Sequence, residues 1–174
     1  MQARQERTFY NYQLLRKYRF SKVVNYSYIF LGLLAAGAAF WADGILGIAY
    51  SFLAWSTLIW IHYVISRSLF VIDRYTYRKR WGFQWKPPWI GFLPLEQQFI
   101  GFRYWSKILL STLLIGIVII GALSPWLPLG FTLQFLFWHL WIIGPRLFTT
   151  IAAMSVSEDK LIKLETNLFL IYKA

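Results

Sequence analysis

The 174-residue chain has no cysteine, which removes disulfides, thiolate catalysis and cysteine-based metal sites together. Charge is scarce as well, at 14% of residues against about 25% in ordinary soluble proteins. Acids are the rarer sign, 7 against 18 Lys and Arg, and there are two histidines. No paired-carboxylate motif, HExxH, P-loop or glycine-rich phosphate cradle occurs. A nucleophile with its base and orienter cannot be assembled from so few groups. The expectation is a protein that is not an enzyme and carries no cofactor.

Apolar residues fill the space: 58% hydrophobic and 21% aromatic, with mean hydropathy +0.48. A soluble chain of this length cannot hide that much apolar surface, so lipid must cover part of it. The length suits one domain. A cleavable signal peptide is not expected, because the first apolar run begins near Val23, lacks a small-residue cleavage site and is followed by more spans.

Residues 23–42 and 44–66 carry no charge over 20 and 23 residues. At 1.5 Å per residue each crosses a hydrocarbon core of about 30 Å. Only Ala42-Asp43-Gly44 parts them, so residues 23–66 form a first helical hairpin. Gly32/Ala36, Ala35/Ala39 and Gly47/Ser51 give small-xxx-small spacing for close backbone approach. Residues 108–145 are again uncharged, for 38 residues, with Ser124-Pro125-Trp126-Leu127-Pro128 near the middle. A second hairpin over residues 108–153 follows, its arms of 16 and about 15 residues extended by Lys107 and Arg146 reaching to the interface. A deep re-entrant loop is the competing picture.

Cations fall in two blocks, +5 over residues 1–22 and +6 over residues 67–107, while neither turn holds a Lys or Arg. The positive-inside rule therefore sets both termini and the centre in the cytoplasm. The expected fold is an all-α polytopic membrane protein with two transmembrane hairpins and four spans.

Residues 67–107 hold eight of the 18 basic residues and twelve aromatics, a mixture suited to a membrane–water interface. Residues 74–78 alternate like a short strand. The run Lys86-Pro87-Pro88-Trp89 forbids a continuing helix, so short irregular or interfacial pieces are expected, with residues 95–104 a surface helix. Arg78, Lys79, Arg80, Trp81, Trp85 and Trp89 are candidate contacts for a partner or for anionic lipid headgroups. Nucleic acid would also attract cations and stack on rings; direct contact stays open.

The basic segment 1–22 fits a cytoplasmic tail, with a surface helix from Thr8 onward. In the tail 154–174, Ser155-Val-Ser-Glu158 fits a capping box, and Leu161, Leu164, Leu168 and Ile171 line one helical face. A helix is favoured over a hairpin of residues 160–165 and 168–173.

His62, His139 and Arg146 are the candidate polar groups inside the apolar tracts. Two imidazoles could clasp a haem. Counting along upright helices puts His62 about 26 Å and His139 about 12 Å from the outer end, which separates them. Each is expected to bond a neighbouring helix or reach the interface. Arg146, after Gly144-Pro145, is expected to anchor at the inner face or to pair with Asp73 or Glu96.

The opening Arg7-Thr8-Phe9-Tyr10-Asn11-Tyr12, with the basic aromatic run and hydrophobic hairpin behind it, resembles the start of TcpE-type membrane proteins of Gram-positive conjugative elements. The overall plan also resembles the ConD-type subunit of such machines. The resemblance implies a non-enzymatic part of a type IV secretion-like DNA-transfer channel, beside other membrane subunits and a cytoplasmic ATPase. It supplies no site residues. A small oligomeric transporter or channel is the alternative, and a homo-oligomer fits either.

Overall fold

A computed structural model describes residues 12–156 and 160–173, without the side chains of Tyr77 and Arg78. Four helices are long and apolar enough to cross a membrane: α1 (Lys22–Asp43), α2 (Ile45–Ile72), α3 (Phe102–Leu123) and α4 (Leu129–Met154). Ser21 opens α1 as its N-cap, its Oγ accepting from the Val24 amide at 3.2 Å and satisfying one of the first-turn donors. Gly44, at φ 60°, turns α1 into α2; a Cβ is disfavoured there. Residues 124–126 form a short 3-10 turn between α3 and α4.

The helices overrun the uncharged tracts. α2 continues through Arg67 to Ile72, and α3 begins at Phe102, ahead of Arg103 and Lys107. Charge marks where lipid can end; it does not break a helix, since Arg and Lys are good helix formers. The arms of the second hairpin are accordingly 22 and 26 residues.

The chain is not all-α. Strands β1 (Gln13–Arg19), β4 (Phe99–Gly101), β5 (Lys160–Glu165) and β6 (Leu168–Lys173) make an antiparallel sheet in the order β1-β6-β5-β4. Both terminal segments and the link between the hairpins thus meet at one end of the bundle. Three expectations change here. The tail is the β5–β6 hairpin about Thr166-Asn167. The Leu161/Leu164/Leu168/Ile171 spacing of a helix coincides with a period-2 pattern in which Lys160, Ile162 and Leu164 are buried on β5, and β6 buries Phe169, Leu170 and Ile171 between two neighbours. The described part of the N-terminal segment is strand rather than surface helix; residues 1–11 and the acidic end of the capping box lie outside the described residues. Residues 99–101 are strand where a surface helix was expected.

The middle of the link is a second, two-stranded sheet: β2 (Trp81–Lys86) and β3 (Trp89–Pro94), paired from Trp81↔Pro94 to Lys86↔Trp89. The 74–78 strand is absent; Arg74 takes a positive φ and Thr76–Arg80 is a 3-10 turn. Pro87 and Pro88, which stop a helix, serve as the two-residue turn of this hairpin, where no ladder amide is needed.

The hairpin is the centre of the packing. Every β3 residue is buried. Phe70 meets Trp81, Tyr63 meets Phe83 and Phe92, and Trp55 meets Trp85, with ring centroids 5.1–6.0 Å apart. Those contacts follow α2 from Phe70 back to Trp55, about 22 Å at 1.5 Å per residue. Trp89, Leu93 and Phe92 share a core with Phe169 and Ile171 of the sheet and with Trp105 of α3. Ile90 belongs instead to the interior of the bundle, with Leu58, Trp138 and Ile142.

Candidate functional site: a histidine pair and an arginine-held hairpin

Two buried polar features lie inside the bundle. The first is a pair of imidazoles. His62 Nε2 and His139 Nδ1 are 2.9 Å apart, and His139 Nε2 is 3.1 Å from the Leu113 carbonyl on α3. A carbonyl only accepts, so His139 Nε2 carries the proton. In neutral rings His139 Nδ1 is then the acceptor, and His62 Nε2 donates to it. That leaves His62 Nδ1 as a bare acceptor, buried without a partner. Gly116 makes room for the ring: a Cβ there would overlap His139 Cε1.

Residue counting separated these histidines by about 14 Å. The structure brings them together. α4 starts at Leu129, two residues earlier than counted, which returns about 3 Å. The rest of the counted offset came from taking both hairpin tips to lie at one depth, which a residue count cannot show. Facing nitrogens at 2.9 Å leave no room for an iron between them, since a metal needs about 2 Å on each side.

The second feature is Arg146. It is buried, and its Nη2 donates to the Ile90 carbonyl of β3 at 2.7 Å. Neither expected role is what it does. Asp73 accepts from Lys107 at 2.6 Å, and Glu96 takes the Thr166 hydroxyl at 2.7 Å and Lys86 at 3.7 Å. Arg146 has no ion pair among the described residues, and its Nε is buried without a partner. It points inward because α4 presents it to the hairpin, where Gly91 leaves space: a Cβ on Gly91 would meet Nη2 at 2.8 Å. Gly91 also sits at φ 101°, a conformation open to glycine.

Neighbouring side chains close the site. Tyr28 of α1 stacks on Trp141 of α4, centroids 4.0 Å apart, and each donates to the other's backbone carbonyl, at 3.2 and 3.0 Å. Trp138 Nε1 donates to Ser51 Oγ at 2.9 Å, and Trp105 Nε1 to Thr150 Oγ1 at 2.9 Å. At the sheet end, the amine of Lys160 is buried and donates to the carbonyls of Ala153, in the last turn of α4, and Val156, just past it. A cation suits the negative end of a helix.

The basic-aromatic candidates divide. Trp81 and Trp89 are 7% and 1% exposed, and Trp89 Nε1 donates to the Glu165 carbonyl at 2.8 Å. Both are core residues, so neither offers a surface to a partner or to lipid. Trp85 is 57% exposed and Lys79 is exposed, while Arg80 is half-buried. The Arg78 side chain lies outside the described residues. Sequence reading missed Gly91, Gly116, Ile90 and Lys160. The glycines were the available signal, since a lone glycine inside an apolar element marks close approach of another group. The Ile90 carbonyl carries no sequence signal. No family model matches the chain, and no curated protein or solved structure matches it either.

Proposed function

We propose that the chain is a non-enzymatic integral membrane subunit, a scaffold within a larger assembly of the bacterial cell membrane. The observation that carries this reading is the single sheet that joins both terminal segments and the central link. A rigid platform is thereby fixed to the ends of four membrane-length helices. Cations at that end, among them Arg16, Lys17, Arg19, Arg67 and Lys79, contrast with two helix-joining tips that hold none. The positive-inside rule assigns the platform to the cytoplasm, where it meets anionic headgroups and a docking partner.

The preferred setting is a conjugative, type IV secretion-like DNA-transfer channel beside a cytoplasmic ATPase. That setting rests on the resemblance of residues 7–12 and the small basic polytopic plan alone. Co-purification from native membranes in mild detergent tests it. Recovery of stoichiometric membrane subunits or a secretion ATPase is expected; recovery of the chain alone, with its host complex present, overturns it.

The second reading is a small oligomeric transporter or channel, favoured by the buried His62–His139 pair, because ionisable groups at membrane depth commonly mark solute or proton paths. Flux in proteoliposomes that disappears in His139→Ala supports it.

A further inference from the structure

A cleft of about 430 Å³ opens on the flank of the bundle between α1 and α2, within the size range of small-molecule sites, about 300–1,000 Å³. Its floor is buried: Gly32, Trp138 and Ile90. Its rim is open, with Leu33 65% and Phe52 64% exposed. Toward the helix-joining tip the two helices pinch together, where a Cβ on Gly47 would overlap the Ala39 carbonyl oxygen. Toward the sheet, Pro87 of the β2–β3 turn forms part of the wall.

Three properties choose the occupant. The first is depth. Ile29 and Ala36, both on the wall, lie about 10 and 21 Å along α1 from Lys22, the middle of a span of about 30 Å. The second is chemistry. Two of the wall's polar groups are engaged within the protein, Ser51 Oγ with Trp138 Nε1 and Trp141 Nε1 with the Tyr28 carbonyl, and most of the remaining lining is aliphatic and aromatic carbon. A guest therefore meets mainly carbon, and a polar group on it would find little to pair with. The third is shape. The cleft is closed toward the tip by the Gly47–Ala39 contact and toward the sheet by Pro87. A helix about 10 Å across is a straight rod that runs past such ends, whereas a single flexible hydrocarbon chain can bend into the space between them. Left empty, the cleft would forfeit the dispersion contacts of its lining.

We propose that this cleft is a binding site for one acyl chain of a membrane phospholipid, entering sideways between α1 and α2. The proposal rests on the four helices lying in a bilayer.

The test uses the full chain purified from membranes in mild detergent. Resistance of the membrane-bound protein to alkaline extraction is measured first, which separates failure of the bilayer reading from failure of the site. Native mass spectrometry after detergent washing is then expected to show one retained phospholipid per chain. Ala36→Phe, which fills the cleft, should reduce retention about tenfold at unchanged melting temperature, while Leu114→Phe on the exposed face of α3 keeps it. A phospholipid with a mid-chain diazirine should label peptides holding Gly32 and Trp141 ahead of α3, a readout that needs no variant. A lipid-free mass, equal retention in wild type and Ala36→Phe, labelling spread evenly over all four helices, or a dimer mass in place of bound lipid would each overturn the site.

Discussion

Arg146 Nη2 lies 2.7 Å from the Ile90 carbonyl oxygen, so one guanidinium on α4 holds a β-hairpin between the helices of the bundle. The hydrogen bond is charge-assisted and buried, which makes it one of the stronger kinds.

Arg146→Met is expected to destabilise the fold by about 1.5–3 kcal/mol, because it leaves the Ile90 carbonyl unpaired in an apolar setting. Thermal denaturation in detergent checks this, together with protease cutting near Pro87, which should appear as the hairpin loosens. A melting temperature within error of wild type would show that packing alone holds β3.

Gly91→Ala faces two obstacles, the φ of 101° and the 2.8 Å approach to Arg146 Nη2. A loss of about 1–3 kcal/mol is expected. Gly121→Ala, in α3 with nothing within 4 Å of the new methyl, should be neutral or gain up to about 1 kcal/mol from helix propensity. The pair of melting curves checks both.

Gly116→Ala drives a methyl into the His139 ring at Cε1. The cost should fall sharply once the ring is gone. A double-mutant cycle with His139→Ala is expected to return a coupling of about 1–3 kcal/mol. Additive effects would mean that the two positions do not meet.

Reporter fusions read the orientation. Fusions at Asp43 and Leu127 are expected to behave as external, and one in the Thr166-Asn167 turn as cytoplasmic. Cytosolic signal from the first two would reverse the platform assignment.

The spans were legible because an uncharged apolar run of about 20 residues matches the thickness of a bilayer and exceeds what a small soluble core can bury. Their ends were not, since Arg67 and Arg103 limit immersion without stopping a helix. The hairpin stayed hidden for a different reason. Trp81, Trp85 and Trp89 look alike among cations, and burial of two of the three depends on what α2 and the sheet bring to them. The tail carried two periodicities at once, and only pairing with β1 and β4 decides for strand. His62, His139 and Arg146 stood out as rare polar residues in apolar tracts, yet their partners did not. One partner is a backbone carbonyl, and the other is a histidine on a helix of the other hairpin.

Among the described strands, β6 comes last in chain order and lies between the first, β1, and its own neighbour β5. Residues 168–173 must therefore be made before the opening segment has its partner strand. All four helices can be inserted while the N-terminal strand still waits with an open edge. A stop codon at Leu168 would therefore undo β1 as well as β6, stranding Gln13–Arg19 without a ladder.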